Sequence, residues 1–475
     1  MTKPSRKADE VRDRITGADG SSLDETIYAG AGAGTGKTQA LVERIVNLII
    51  DGGVQPGKIA AVTFTVAAAS ELMQRIREEL EKRLDEEVVK NGGENPGDIQ
   101  ITLSNALNSL DSAFVGTIHS FAQSLLRERP LPVGLPPVFE LYDAVQGDER
   151  FDEEWSSWLD VELENPEFSA AVINAQRLGL TQPLDKLRDL AEELHVNFDL
   201  AERVGALAST DQVIDLGDIL ESIRVDLQKA FDLRAHCKNA EDKLLTHIES
   251  SIRMALDWID EATSSGSFEE QILALTQLPG FTTTGGRKGD WNPLSSGESS
   301  LEEVRDLLKG ARRTLESGRQ SLGEKTIVPL VNAVLRMVVG YATKRRTEGM
   351  LEFQDLLVLS SELLDTDDEA RKYFQERYTH ILIDEFQDTD PLQLKLAMRL
   401  ADRDSDSKAR GTPTPGALFV VGDGKQSIYR FRRADFTQLK GLLRSLGASE
   451  LSLSKNFRSA PGILNWVNSI FDPWM

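Results

Sequence analysis

The stretch AGAGTGKT, from Ala31 to Thr38, decides the fold of this 475-residue chain. An apolar segment, Thr26–Ala29, precedes it, and a helical pattern follows it over Gln39–Ile50. A glycine-rich turn between a strand and a helix lets backbone N–H groups approach phosphates, and the helix N-terminus adds a favourable dipole. The sequence therefore predicts a phosphate-binding loop made of Ala31, Gly32, Ala33, Gly34, Thr35, Gly36, Lys37 and Thr38.

Two side chains of this loop suit nucleotide chemistry. We expect Lys37 to reach the β- and γ-phosphates of a nucleotide and the Thr38 hydroxyl to ligate Mg²⁺. Ala31 stands where the strict pattern has glycine, so the loop is a variant of that pattern. The alternative interpretation is a glycine-rich turn that holds no ligand.

Short apolar segments elsewhere in the chain predict the rest of the sheet. Five of them resemble buried parallel strands: Thr26–Ala29, Ile59–Thr63, Ala113–Val115, His380–Ile383 and Leu418–Val421. Apolar strands joined by helical crossovers indicate a doubly wound α/β fold. In such a fold the chemistry lies at the carboxyl ends of the strands.

The stretch from Arg127 to Gly340 has a different pattern, with helical periodicity and no convincing strand. Two apolar stripes have the spacing of core-facing helices. The first contains Leu244, Leu245, Ile248, Ile252, Ala255, Leu256 and Ile259, and the second contains Leu301, Val304, Leu307, Leu308, Ala311 and Leu315. We therefore expect a large all-helical domain, inserted between the third and fourth strands of the sheet.

Two acidic residues follow the fourth predicted strand. Asp384 is expected to hold Mg²⁺, largely through water, and Glu385 to orient and polarise an attacking water molecule. A lone Asp-Glu pair is common and is usually only solvated. The functional interpretation depends on the apolar run before the pair, Ile381–Ile383, and on the upstream phosphate-binding loop.

The fifth predicted strand ends in GDGKQSIYRFR, from Gly422 to Arg432. Gln426 could bond the γ-phosphate or the attacking water. Tyr429, Phe431 and the nearby arginines provide aromatic faces and cations, which are the usual components of a single-strand stacking surface. The alternative for the two aromatic residues is ordinary packing.

The net charge of −23, from 54 basic and 77 acidic residues, argues against a polyanionic partner when it is taken alone. A protein that holds one nucleic-acid strand needs only a local groove and stacking surfaces, however. Cys237 is the single cysteine and fits a reducing, cytoplasmic location. The N-terminus has no apolar segment typical of a signal peptide, and Ile327–Gly340 is too short and too polar to span a bilayer.

These motifs, in this order, resemble those of superfamily 1 helicases of the UvrD/Rep type, and most closely the RecB/AddA branch. The resemblance rests on AGAGTGKT, Thr63–Thr65 (TFT), Gly116–Phe121 (GTIHSF), Leu351–Leu357 (LEFQDLL), Asp384–Pro391 (DEFQDTDP), Gly422–Arg432 and Asn456–Ser459 (NFRS). It implies a RecA-like P-loop NTPase sheet and an ATP- and Mg²⁺-dependent DNA helicase or translocase that moves 3′ to 5′ in recombination or repair. Implied partners are single-stranded DNA, junctions of single-stranded with duplex DNA, and a partner subunit.

The resemblance also implies roles for further residues. Arg458 matches an arginine that contacts the γ-phosphate across a cleft, and Phe457 an aromatic residue that stacks on adenine. Four residues match positions that line the path of the DNA strand: Thr63, Thr65, Thr117 and His119. For His119 the alternative is a buried histidine whose hydrogen bonds are satisfied within the protein.

Three positions depart from the family pattern. The family usually has an upstream glutamine that reads adenine, and no glutamine precedes Gln39 here, so base selectivity is either weaker or provided by another group. Val66 stands where asparagine is common, and Gly424 where proline is common.

The motifs divide the chain into four parts. We expect a first RecA-like domain at 1–126 and 341–455, an inserted helical domain at 127–340, and the truncated start of a second RecA-like domain at 456–475. The later motifs of the family are not found in the chain. We therefore expect slow hydrolysis by this chain, and the alternative function is a non-catalytic nucleotide- and DNA-binding module or a partner-binding remnant.

Overall fold

The computed structural model describes residues 6–90, 96–208, 215–403, 412–428, 433–434, 436–445 and 447–471. The chain forms two compact units, of which the first combines residues 1–143 with 345–475 and the second comprises 144–344. The first unit carries a parallel sheet, and the second is built from helices.

The strands of the first unit confirm the predicted parallel sheet. Six strands lie in the order β3-β2-β6-β7-β1-β8, and every neighbouring pair is parallel. Two further short strands, β4 and β5, pair with each other in parallel. The bounds are β1 Ile27–Ala31, β2 Ile59–Thr63, β3 Phe114–Thr117, β4 Glu140–Leu141, β5 Met350–Leu351, β6 His380–Ile383, β7 Leu418–Gly422 and β8 Ser449–Leu453.

The helices fall into two groups, one in each unit. Those of the first unit are α1 Arg6–Thr16, α2 Lys37–Ile50, α3 Val66–Lys90, α4 Asp98–Ser109, α5 Ile118–Glu128, α15 Phe353–Thr366, α16 Asp368–Arg377, α17 Pro391–Ala401, α18 Phe436–Ser445 and α19 Pro461–Phe471. Those of the second unit are α6 Ala144–Glu162, α7 Pro166–Arg177, α8 Pro183–Val196, α9 Phe198–Val204, α10 Leu216–Asp232, α11 Lys243–His247, α12 Arg253–Ser265 and α13 Phe268–Gln277. Helix α14, Ser300–Glu348, begins in the second unit and ends in the first.

The central strands are buried on both faces of the sheet. In β7, Leu418 and Val420 pack into one hydrophobic cluster, whereas Phe419 and Val421 pack into another on the opposite face. Strand β2 divides its residues between the same two clusters. A strand that is covered on both sides needs apolar residues at every position, and this is why these strands could be recognised as continuous apolar runs.

Three strands were not predicted from the sequence: β8 and the two-residue strands β4 and β5. Strand β8 lies at the edge of the sheet, next to β1, and only Leu451 and Leu453 of its residues SELSL pack against the core. An edge strand has half-exposed faces, so it lacks the continuous apolar run that marks the inner strands. Strand β4 falls within 127–340, where no strand was expected, and contains only two residues.

The second unit has its own hydrophobic core. Both predicted apolar stripes belong to it, and their side chains are buried or partly buried. The prediction placed an inserted domain at 127–340, and the unit in the structure covers 144–344. Its status as an inserted domain stays a prediction.

Helix α14 is long and apolar enough to cross a membrane by length and composition. Half of its most apolar window is buried within the protein, however, as in the core helix of a soluble fold. One helix of this kind is weak evidence for a membrane.

A buried ion pair joins the end of α14 to the start of α15. The Arg345 guanidinium donates two hydrogen bonds to Asp355, from Nε to Oδ2 and from Nη2 to Oδ1, each 2.8 Å long. The side chains are 2% and 3% exposed, so water does not screen this pair. Asp355 also accepts the Glu352 N–H at 2.8 Å and thereby caps α15.

We expect Asp355→Ala to lower the free energy of unfolding by about 3–5 kcal/mol, because it removes both hydrogen bonds between Asp355 and the buried Arg345 guanidinium. Urea denaturation followed by circular dichroism measures this loss. Glu362→Ala is the matched control: it removes the partner of Arg346, whose side chain is 30% exposed, and should cost less than about 1 kcal/mol. Equal losses in the two variants would contradict the prediction.

Candidate functional site

The loop between β1 and α2 has the geometry that anion binding requires. Gly34 and Gly36 have φ angles of 77° and 80°, which glycine adopts without strain. Gly36 is the N-cap of α2 and has no side chain, so the N–H groups of the first helical turn are not capped by one. The Thr35 hydroxyl donates to the Gly32 carbonyl at 2.8 Å and closes the turn.

Five residues at three neighbouring strand ends form a closed hydrogen-bonded ring of four side chains plus the side chain and backbone N–H of Asp423, which we call the strand-end ring. Its members are Lys37, Glu385, Gln387, Asp423 and Gln426. Lys37 Nζ donates to Glu385 Oε2 at 2.9 Å and lies 3.4 Å from Gln426 Oε1. The Gln387 amide donates to Glu385 Oε2 at 2.7 Å and accepts the Asp423 N–H at 2.8 Å. Asp423 Oδ2 accepts from Gln426 Nε2 at 2.9 Å and completes the ring.

Glu385 is held as a carboxylate in an unusual backbone conformation. Its φ of 51° lies in the left-handed region, which is costly for a residue with a Cβ. Burial raises its pKa, but the hydrogen bonds from Gln387 and Lys37 outweigh this effect, so the pKa lies below the ordinary value. The side chain is therefore a charged acceptor, as the predicted role in orienting water requires.

Asp384 has the opposite electrostatic environment. Burial, together with the neighbouring charge of Glu385, raises the pKa of its carboxyl to about 6. Asp384 and Thr38 offer a carboxylate and a hydroxyl, which are hard oxygen donors of the kind that Mg²⁺ prefers. Mg²⁺ is usually held by one or two carboxylates plus phosphates and water, so this donor set fits the ion. Within the described residues there is no cluster of three or more His, Cys, Asp or Glu side chains that could hold a metal by itself.

A cavity of about 350 Å³ lies over the phosphate-binding loop. It brings together residues that the sequence analysis singled out from distant motifs: Gly32, Ala33, Gly34, Gly36, Lys37, Thr38, Glu385, Gln426 and Arg458. Glu71 and Arg75 of α3 also line it, and these were missed because an acid and a base one helical turn apart look like a solvated pair.

The segment Asn456–Ser459 lies directly on the loop. The Asn456 amide donates to the Ala33 carbonyl at 2.8 Å, and the Phe457 N–H donates to the Gly34 carbonyl at 2.8 Å. A Cβ added to Gly34 would come within 2.8 Å of the Arg458 Cβ. Phe457, the predicted base-stacking residue, remains 58% exposed beside the loop, with Arg12 and Lys455 over its ring.

The residues predicted to line a DNA strand lie at the same edge of the sheet, on β2 and β3. Thr63 and Thr117 are paired in register at the ends of these strands. Thr65 accepts the Ala68 N–H at the start of α3, and Thr117 caps α5 by accepting the Ser120 N–H at 3.2 Å. The Thr63 side chain is buried and donates to the Thr65 carbonyl. A DNA strand at this edge of the sheet would therefore contact Thr65 and not the Thr63 side chain.

A groove of about 580 Å³ runs between α3 and β3. It is lined by Val66, Ala69, Ser70, Met73, Gln74, Arg77, Phe114, Val115, Gly116, Thr117 and Ser120. His119 lies outside this lining, half-buried, with its ring edge on Phe353 at a centroid distance of 5.7 Å. Tyr429 and Phe431 lie outside the described residues.

Two observations explain features that the sequence left open. Gln387 links Glu385 to Asp423, but the sequence predicted no role for it because it is an uncharged residue within DEFQD.

Gly424, where the family commonly has proline, packs against Phe436, and a Cβ at this position would lie 2.2 Å from the ring of Phe436. The glycine and the phenylalanine therefore fit each other, and proline could not replace the glycine in this packing.

Comparisons with known proteins agree with the geometry of the site. The model of the UvrD/REP helicase N-terminal domain matches residues 18–446. Similar curated proteins, each named as a subunit of an ATP-dependent helicase/nuclease, come from Pediococcus pentosaceus (24% identity over 96% of this chain), Alkaliphilus oremlandii (28% over 94%) and Bacillus licheniformis (27% over 96%). The chain spans only 38–39% of the length of these relatives. The resemblance to UvrD/Rep helicases and to their RecB/AddA branch is confirmed.

The raised pKa of Asp384 predicts how the affinity for MgATP depends on pH. Below about pH 6 the carboxyl is protonated and cannot hold the metal, so the affinity should fall roughly fourfold between pH 7.5 and 5.5. Calorimetric titration measures it, and Asp384→Asn reports the pH dependence that comes from ATP itself. Glu385→Gln should move the midpoint to lower pH, because the Glu385 charge helps to raise this pKa. An identical pH dependence in the unsubstituted protein and Asp384→Asn would contradict the assignment.

Proposed function

Since the chain belongs to the family of UvrD/REP helicase N-terminal domains, we propose that it is the ATP-binding part of a DNA helicase or translocase that acts in recombination or repair. The observation that carries this proposal is the shared edge of the sheet: β1, β7 and β6 end in the strand-end ring, and β2 and β3 end beside the groove. The proposed nucleotide site and the proposed DNA-binding groove thus lie at the ends of adjacent β-strands. Movement from 3′ to 5′ and a partner subunit follow from the resemblance, a cytoplasmic location follows from the single cysteine, and all three belong to the proposal.

Each member of the nucleotide site has a role in this proposal. MgATP supplies the scissile phosphoanhydride and a metal that neutralises developing charge. The loop N–H groups and Lys37 bind the phosphates, and Thr38 and Asp384 hold the metal. Glu385 accepts a hydrogen bond from the attacking water and orients it. Arg458 contacts the γ-phosphate, and Gln426 detects its presence.

Nucleotide binding redistributes the donors of the strand-end ring. The Lys37 ammonium group has three N–H donors, of which Glu385 and Gln426 take two, so phosphate oxygens take the third and draw Lys37 away from Glu385. As Lys37 moves toward the phosphates, Glu385 becomes available to water and the Gln426 side-chain oxygen loses the hydrogen bond that Lys37 donates. Gln387 is hydrogen-bonded to both Glu385 and Asp423, so a shift of the Glu385 side chain also moves the contact with Asp423. We propose this as the route by which the phosphate state reaches the segment after β7, where Tyr429 and Phe431 are the predicted stacking residues.

The proposal that the groove binds single-stranded DNA rests on local features, which the net charge of the whole chain does not reflect. Helices α3 and α5 both begin at the edge of the sheet that carries the groove, so the N-terminal N–H groups that Thr65 and Thr117 do not cap are directed to phosphates there. Phe114 and Val66 provide apolar surface, and Arg77 provides a cation in the groove. A local arrangement of this kind binds a single strand despite an acidic exterior.

The domain assignment is also part of the proposal. The helical residues 127–340 form a domain inserted into the first RecA-like domain, and 456–475 begin a second one. Arg458 and Phe457 would then belong to the wall that faces the phosphate-binding loop across an ATP-binding cleft. Closure and opening of that cleft would move the bound DNA strand.

Substitutions in the strand-end ring should separate ATP binding from ATP hydrolysis. Glu385→Gln should bind MgATP at least as tightly as the unsubstituted protein, because Lys37 is released, yet hydrolyse it about 100-fold more slowly. Lys37→Ala should lose both binding and hydrolysis. Calorimetry measures binding, and phosphate release with and without single-stranded DNA measures turnover. If the unsubstituted chain binds MgATP and DNA without measurable hydrolysis, it is the non-catalytic binding module instead.

A charge placed in the groove should weaken binding of single-stranded DNA. Val66→Glu, at a groove position that is 70% exposed, should raise the Kd for a fluorescent oligothymidine about tenfold through phosphate repulsion. Val89→Glu is the matched control, since Val89 is 80% exposed on the same helix and does not line the groove. Fluorescence anisotropy at fixed salt measures both affinities. Equal Kd values for the two variants would remove the groove from the DNA path.

A further inference from the structure

Arg12 lies beside the phosphate-binding loop, where the sequence analysis found no base-reading residue. A Cβ added to Gly36 would lie 3.6 Å from Arg12 Nη1, 3.9 Å from the Gln39 Cβ and 3.9 Å from the Phe457 ring. Three side chains from α1, α2 and the segment after β8 therefore meet at the first turn of α2. This is the side of the loop on which the exposed Phe457 ring lies.

The position of Arg12 is fixed by buried contacts of its helix. The Arg44 guanidinium, which is 1% exposed, donates to the Ile15 carbonyl at 3.0 Å. The Asn47 amide donates to the Thr16 carbonyl at 3.0 Å. Both donors lie on α2, so the end of α1 is tied to the helix that begins at the phosphate-binding loop. Arg12 is thus held at a set distance from the loop.

The polar contacts of Arg12 leave part of its guanidinium available. Both hydrogen bonds to Glu43, of 3.1 and 3.0 Å, use Nη2. No described residue accepts a hydrogen bond from Nη1 or Nε. The Arg12 Cζ lies 5.6 Å from the centroid of the Phe457 ring, and Lys455 Nζ lies 5.0 Å from it. An exposed aromatic ring with a donor-rich neighbour can stack on a base and bond its edge.

The chemistry of the guanidinium decides which base edge it can read. Arginine donates hydrogen bonds and accepts none, whereas a glutamine amide does both. A glutamine can therefore bond adenine N6–H and N7 together, and arginine matches the acceptors N7 and O6 of guanine. Adenine shares only N7 with that pattern. A site read by arginine gains nothing from the amino group that distinguishes adenine.

We propose that Arg12 contacts the nucleobase and, in place of the absent upstream glutamine, gives this site weak discrimination between ATP and GTP. The inference rests on the proposed nucleotide site and names a residue that sets its specificity. Phe457 stacks on the purine ring, and Arg12 Nη1 and Nε donate to the acceptor edge. Glu43 orients the guanidinium through Nη2.

Calorimetric Kd values for MgATP and MgGTP test the proposal. For the unsubstituted protein the two values should lie within about tenfold of each other, with MgGTP the tighter ligand, because the guanidinium matches two acceptors of guanine and one of adenine. Arg12→Ala should weaken both at least tenfold, since it removes a charge-assisted contact. Arg12→Gln should restore the affinity for ATP more than that for GTP and so raise the ATP preference about tenfold. Arg14→Ala, on the same helix but paired with Glu25, is the matched control and should change neither value.

Two further variants separate the possible failures. Arg12→Lys keeps the charge and the Glu43 ion pair but removes the planar donor pair, so it should still weaken both affinities even if Arg12→Ala unfolds. The proposal is overturned if Arg12→Lys and Arg12→Ala bind within twofold of the unsubstituted protein. It is also overturned if the unsubstituted protein prefers ATP over GTP by more than about 100-fold and Gln39→Ala loses that preference. In that case Gln39, and not Arg12, recognises adenine. If the unsubstituted protein does not bind MgATP, or if Lys37→Ala binds it equally well, the proposed function itself fails.

Discussion

The contact of 2.9 Å between Lys37 Nζ and Glu385 Oε2 is the interaction on which the arrangement of the site depends. The two residues are 348 positions apart in the sequence, and their contact closes the strand-end ring. It places a cation against a carboxylate whose backbone is in the costly left-handed conformation. It also lowers the pKa of Glu385, so the acid stays charged although burial alone would raise its pKa. The Glu385 carboxylate thereby balances the charge of Lys37 at the phosphate-binding loop.

The parallel sheet makes this long-range contact possible. Strands β6, β7 and β1 are adjacent, and each turns into a loop at its carboxyl end. Asp384 and Glu385, Asp423 to Gln426, and the phosphate-binding loop therefore meet along one edge. Strands β2 and β3 continue the same edge, which carries the groove and the N-termini of α3 and α5. The order of the β-strands thus places the predicted phosphate-binding loop next to the groove proposed for a DNA strand.

How much the sequence could predict depended on how deeply each element is buried. The inner strands were recognised because both of their faces are covered, which demands apolar residues at every position. Strand β8 was missed because Ser449, Glu450 and Ser452 need no burial at the edge of the sheet. Lys37 and Glu385 were singled out because charged residues after apolar strands are conspicuous. Gln387 and Arg12 were not, since their contacts are tertiary and no local pattern encodes them.

The two acids of the site show why sequence spacing could not assign their charge states. Asp384 and Glu385 are consecutive, yet the pKa of the first is raised to about 6 and that of the second is lowered. Glu385 receives hydrogen bonds from Lys37 and Gln387, whereas Asp384 accepts one from the Glu385 N–H. The charge on Glu385 then raises the cost of ionising Asp384. A metal ion bound at Asp384 would reverse that cost, so metal binding and the release of Lys37 from Glu385 both change the electrostatic balance of one acid pair.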